Sequence, residues 1–141
     1  MRLFFDTSVL VSAALVQHPQ HASSLTAYAQ ATKLNAFTSA HSLAETYATL
    51  TRLPGSQRMS CEEALLFLED VRKRLTVVPL DVEDYIKTIS SLAAAGISGG
   101  AIYDALLARC AIKSGAEILY TWDVADFRRV APEIAKQVRT P

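Results

Sequence analysis

Leu3-Phe4-Phe5-Asp6-Thr7-Ser8-Val9-Leu10 decides the architecture of this chain. Three large apolar residues stop at a carboxylate, and Thr7 to Val16 then continues with helical periodicity and ends near Pro19. A short apolar run that meets a polar residue and turns into a helix opens an α/β unit. The same grammar returns downstream. Further strands are expected at Asn35–Thr38, Thr76–Val78 and Glu117–Thr121, with a last one through Lys136–Val138. Helices are expected over His21–Lys33, Ala40–Arg52, Ser60–Arg74, Val82–Ala95 and Ala101–Ser114. Ser60 with Glu63, and Asp81 with Asp84, have the spacing of helix-start capping pairs. Leu53-Pro54-Gly55-Ser56 breaks the chain between the two middle helices. Strands alternating with helices predict an α/β fold, a mostly parallel sheet of four or five strands covered on both faces as an α/β/α sandwich. Residues 1–141 read as a single domain, with no repeat and no linker.

Composition narrows the function classes. Of 141 residues, half are apolar and a fifth charged, which excludes disorder, and 22 alanines favour helices over an all-β fold. Fourteen basic residues balance fourteen acidic ones, so no broad field advertises a nucleic-acid or membrane partner. Cys61 and Cys110 stand far apart with no partner at metal spacing, which argues against a disulfide framework or structural zinc and suits a reducing cytoplasm. Asp6 interrupts what would otherwise resemble a short export signal. The run from Leu92 to Ala111 carries Asp104 at its centre, which argues against a membrane span.

Asp104 is the most informative residue. At 3.6 residues per turn it shares a helix face with Gly100, Ala101, Leu107, Ala108 and Ala111, while Arg109 and Lys113 project roughly 140° and 180° away. A carboxylate on a small apolar face needs a cation, backbone donors or a basic side chain from elsewhere. An ordinary ion pair with a distant Arg is an even alternative. Asp6 lies at the carboxyl end of the first strand, where open parallel sheets bind ligands, but an Asp before a helix is also an ordinary cap. Asp123 and Asp126 follow the strand ending at Thr121 in the same way, as a cap and a first-turn acid. Glu45 sits on a helix whose Leu43, Ala44, Tyr47, Ala48 and Leu50 look core-facing, with His41 one turn earlier. Singly, each acid has a structural explanation; the remaining acids sit at helix starts or on a solvated face.

Five strings in order carry a resemblance: Leu3-Phe4-Phe5-Asp6-Thr7-Ser8-Val9-Leu10, Ser42-Leu43-Ala44-Glu45, Gly99-Gly100-Ala101-Ile102-Tyr103-Asp104-Ala105-Leu106-Leu107-Ala108, Thr121-Trp122-Asp123-Val124-Ala125-Asp126-Phe127 and Val138-Arg139-Thr140-Pro141. The chain resembles, end to end, the PIN-domain ribonucleases, specifically VapC-type toxins of toxin–antitoxin pairs. The resemblance implies that Asp6, Glu45 and Asp104 are metal-binding carboxylates, with Asp123 as the fourth acid and Asp126 as the alternative. It also implies that a hydroxyl beside the first acid, Thr7 or Ser8, orients a carboxylate or a water. An all-oxygen set suits Mg²⁺ or Mn²⁺. The implied reaction is endonucleolytic hydrolysis of RNA, leaving a 3′-hydroxyl and a 5′-phosphate. The implied partners are an RNA substrate and a cognate VapB-type antitoxin, and the apolar composition suits a homodimer. Arg52 and Arg58, flanking the Pro54-Gly55 break, are candidate phosphate contacts; Arg72-Lys73-Arg74 reads as a complement to a helix C-terminus and Arg128-Arg129 as surface solvation.

Two other classes remain: a non-catalytic RNA-binding protein of the same fold, and a DNA nuclease using the same carboxylates. An aspartyl phosphatase wants a second Asp where Ser8 stands, and no Walker A loop or dinucleotide fingerprint is present.

Overall fold

The computed structural model describes residues 1–141. Five strands, β1 (Leu3–Phe5), β2 (Ala36–Ser39), β3 (Thr76–Val78), β4 (Ile118–Tyr120) and β5 (Val138–Arg139), form one sheet in the order β3-β2-β1-β4-β5. Every pairing is parallel, with Phe4 opposite Phe37 on one side and Leu119 on the other. The helices are α1 (Thr7–Ala14), α2 (His21–Ala29), α3 (Ala40–Arg52), α4 (Cys61–Arg74), α5 (Val82–Ala94), α6 (Ala101–Ser114) and α7 (Val124–Val130).

Adjacent Phe4 and Phe5 are both fully buried and feed opposite cores, as expected for a central parallel strand covered on both faces. Phe4 joins Phe37, Val78 and Leu119 against α5, α6 and α7. Phe5 joins Val9, Leu10, Tyr28 and Val71 from α1, α2 and α4. Val11, Leu15, Leu50 and Ala64 close a smaller seam between α1, α3 and α4.

Local signals hold where the spacing placed them. Ser60 with Glu63 and Asp81 with Asp84 form reciprocal capping boxes at the starts of α4 and α5. Helix α6 ends at Gly115 in the left-handed region, φ 70°, a conformation that strains any residue with a Cβ. The cations Arg72, Lys73 and Arg74 do occupy the last turn of α4. No helix is long and apolar enough to cross a membrane.

Three expectations shift. Helix α2 stops at Ala29, four residues short of Lys33, because Ala31 and Asn35 donate backward to Tyr28 and Thr32 in turns that lead into β2. Lys136 belongs to a 3-10 segment, and the last strand is Val138–Arg139. Ala44, Tyr47 and Ala48 face outward; α3 instead buries Ser42, Thr46 and Leu50. A stripe at i, i+4 and i+8 faces the protein even where two of its members carry hydroxyls: Ser42 shares a 2.7 Å bond with Ser39, while the Thr46 hydroxyl is buried without a partner.

Candidate metal-binding active site

The order β3-β2-β1-β4-β5 means that the chain winds outward from β1 in one direction, then returns to β4 and continues in the other. The carboxyl ends of β1 and β4 therefore flank the point where the winding reverses, and a crevice opens there between the two diverging connections. Asp6 follows β1, and Thr121-Trp122-Asp123 follows β4, so both groups arrive at this crevice by topology.

Asp6 is buried, at 3% exposure. Its Oδ2 accepts bonds from the Thr121 hydroxyl at 2.7 Å and the Ser8 hydroxyl at 2.8 Å, and it caps α1 through the Ser8 amide at 3.4 Å. All three recorded bonds converge on Oδ2, and none uses Oδ1. Burial pushes the Asp6 carboxyl up to about 6 against the pull of those donors, and the negative charge of Asp123 adds to the rise. Asp6 is thus both a cap and a charged group held at a cost.

Asp104, on the first turn of α6, is pushed up to about 7, first by burial and then by the charges of Asp6, Asp123, Asp126 and Glu45. No basic side chain pairs with it. The two cations of α6 go elsewhere: Arg109 Nε lies 3.2 Å and Lys113 Nζ 2.8 Å from the buried carboxylate of Asp84 on α5. These bonds hold Asp84 well below the usual carboxylate range, and they bind α5 to the face of α6 opposite Asp104. The ion-pair alternative for Asp104 is removed by this geometry. Asp84, read from sequence as a plain helix-start acid, does double duty as cap and counter-ion.

Glu45 receives the Thr7 hydroxyl at 3.0 Å, and His41 Nε2 lies 3.8 Å from the same Oε1. The His41 ring stacks on Tyr103, one residue before Asp104, with centroids 5.5 Å apart and planes within 6°. That stack ties the start of α3 to the start of α6. Asp123 stands at the N-terminal position of α7 but makes no capping bond with its side chain. Partial burial and the neighbouring Asp126 raise its carboxyl.

The expected residues thus divide. Asp6, Glu45, Asp123 and Asp126 all lie within electrostatic reach of Asp104, and Thr7 and Ser8 each bond a different acid. No three of the acidic or histidine side chains are gathered tightly enough to encircle one ion. Arg52 lies seven residues after Glu45 on α3, about 10 Å along the axis and on nearly the same face. Arg58 instead borders a recess with Leu15 and Glu63, at the far end of α1. Arg128, expected to be simply solvated, donates to the Ala135 and Val138 carbonyls and fastens the C-terminal segment. Thr121, which holds Asp6, is a site residue to which the sequence assigned no role; its place at the end of an expected strand, just before Asp123, was the available signal.

The fold and the site together define an open, parallel α/β protein whose switch point is lined by carboxylates without basic partners. Residues 3–132 match the PIN domain family, and the chain belongs to it. Ribonuclease VapC40 of Mycobacterium tuberculosis is 34% identical over 114 residues, 81% of each chain. Among solved structures, the Mycobacterium tuberculosis toxin VapC20, described as cleaving the sarcin-ricin loop, superposes with a TM-score of 0.72 at 20% identity, covering 90% of this chain and 93% of that one. VapBC2 from Rickettsia felis, bound to a DNA fragment from its promoter, gives 0.70 at 22% identity, covering 99% and 98%.

Proposed function

We propose that residues 1–141 act as one PIN domain, a metal-dependent endoribonuclease toxin of a toxin–antitoxin pair. The observation that carries this reading is Asp104: a carboxyl pushed up to about 7 beside the buried Asp6, with its helix's own cations diverted to Asp84. A fold that gathers like charges and routes the cations away is arranged for a cation from solution. The donor set is all oxygen, which fits Mg²⁺ or Mn²⁺ and not a thiophilic metal.

Asp6, Glu45, Asp104 and Asp123 would hold the ion, with Asp126 as the alternative fourth acid, by closing on it from the wider spacing they keep here. Such an ion would supply neutralisation of the phosphodiester charge and a lowered pKa for the attacking water. The chain's own part is orientation. Ser8 and Thr121 occupy one oxygen of Asp6, leaving the other for the ion, and Thr7 fixes the rotamer of Glu45. The hydroxyls at the crevice, Thr7, Ser8 and Thr121, are each engaged in orienting a carboxylate, so the attacking group is water. Arg52, on the Glu45 side of α3, is the phosphate contact we retain; Arg58 is the more distant candidate.

A ribonuclease name among the relatives and a toxin–antitoxin complex among the structural neighbours support RNA as substrate and a VapB-type antitoxin as partner. A cytoplasmic location and a homodimer complete the reading; exposed Val82, Tyr85, Ile86 and Ile89 form an apolar row on α5 that supports self-association.

The test is cleavage of a structured RNA pool by antitoxin-free protein with Mg²⁺, Mn²⁺ or EDTA, beside a matched DNA pool and the Asp104→Asn variant. Metal-dependent cutting of RNA alone, lost in the variant, is the expected result. Cutting of DNA as well would make the site a general nuclease, and intact RNA with retained RNA binding would make the chain a binding protein.

A further inference from the structure

We propose that Trp122 is the platform of a nucleobase subsite beside the carboxylates, a proposal that rests on the endoribonuclease reading of the same site. A groove of about 470 Å³ opens beside Asp123, with Ser8 in its wall together with Trp122. His18 and Gln20 from the α1–α2 loop and Thr49 from α3 also line it. No lysine or arginine lines the groove, so its chemistry is stacking and hydrogen bonding rather than a grip on phosphate.

The ring is held from two directions. The Trp122 amide donates to the Ser8 hydroxyl at 3.0 Å, and that hydroxyl itself donates to Asp6. Its indole Nε1–H donates to the Ser24 hydroxyl at 2.9 Å. Ser24 shares a 2.7 Å bond with Ser12, whose hydroxyl also donates to the Ser8 carbonyl at 2.8 Å. Ser12 and Ser24 are wholly buried. A network of buried serines thus fixes the edge of the indole, the Phe5–Val9–Tyr28 core supports it, and half-buried Trp122 contributes to the groove wall. A preset aromatic surface next to a hydrolytic centre fits an unpaired base of single-stranded RNA, which stacks with little further ordering. His18 Nδ1 accepts from the Gln20 amide at 3.1 Å, which leaves Nε2 as the ring's donor for a base edge.

Trp122 is the only tryptophan in the chain, so its emission reports this one place. The Asp104→Asn protein with Mn²⁺ is titrated with a random-sequence RNA 12-mer and, separately, with an abasic 12-mer that keeps the sugar-phosphate chain. Quenching by the first and not the second is expected. In the active background, Trp122→Leu should weaken cleavage of the sites mapped in the RNA pool about ten-fold, with the change in KM, and Trp122→Phe far less. Melting curves check the fold, and Ser24→Ala, which frees the indole edge without removing the ring, gives an intermediate loss if Trp122→Leu does not fold. Equal or absent quenching by both probes, with Trp122→Leu cleaving at the wild-type rate, overturns the subsite and leaves the groove to a protein segment. Failure of the wild-type protein to cut any RNA refutes the endoribonuclease reading instead, so the two failures are distinct.

Discussion

Replacing Asp104 by Asn should stabilise the metal-free protein at pH 8 and leave it nearly unchanged at pH 5. In the unfolded chain the Asp104 carboxyl titrates at its ordinary value of 3.8, and burial among the other acids lifts it to about 7 in the fold. Between those values the native state binds a proton that the unfolded state has released, so stability falls as pH rises from about 4 to about 7 and the loss is complete above that. Ionising a carboxyl across that interval costs about 4 kcal/mol at most. Asn still buries a polar group and the crevice relaxes, so about half of that, roughly 2 kcal/mol, is the expected gain. For 141 residues the unfolding entropy is about 0.3 kcal/mol/K, which converts the gain to a rise of about 7 °C in Tm. Thermal melts in EDTA at pH 5 and pH 8 read it directly. Adding Mn²⁺ should raise the wild-type Tm at pH 8, because binding to the native state alone is stabilising, and should do so far less in the variant. A lower Tm for Asp104→Asn at pH 8, or the same difference at both pH values, would show that Asp104 is a structural anchor and refute the charge argument.

Other consequences are open to simpler assays. Asp123→Asn and Asp126→Asn, made separately, should differ in RNA cleavage, with the larger loss at Asp123, whose side chain has no capping duty; equal wild-type rates would remove the fourth acid. Thr7→Val should keep the Tm and slow cleavage several-fold, since it frees the Glu45 carboxylate that Thr7 orients. Asp84→Asn should lower the Tm by a few degrees yet leave a metal-dependent nuclease, because its bonds join α5 to α6 away from the acids. Thr46→Val should be neutral or stabilising by up to about 1 kcal/mol in urea melts, since the Thr46 hydroxyl is the one buried side-chain polar atom without a partner.

Much of this protein is local chemistry, and local chemistry is written in order along the chain. The run Leu3–Phe5, the capping boxes at Ser60 and Asp81, and the break at Pro54-Gly55 depend on residues within four positions of one another, so they fold as read. Even the burial of Asp104 follows from helical spacing. The sites of error were also local decisions, made by distant partners: Ala44 and Ala48 are as apolar as a core face, but only the packing of α3 against α1 and α4 says which side is covered. Function needed the long range. Thr121 and Asp6 meet across 115 residues because β4 lies beside β1, and nothing in either segment states that neighbour. Whether Asp104 is compensated turned on Asp84, twenty residues earlier, drawing Arg109 and Lys113 to the opposite face. The sequence alone determined the elements and the charge that each would carry; the tertiary structure decided which charges face one another without relief, because Coulomb energy depends on distance through space and on burial, neither of which is a property of spacing along the chain.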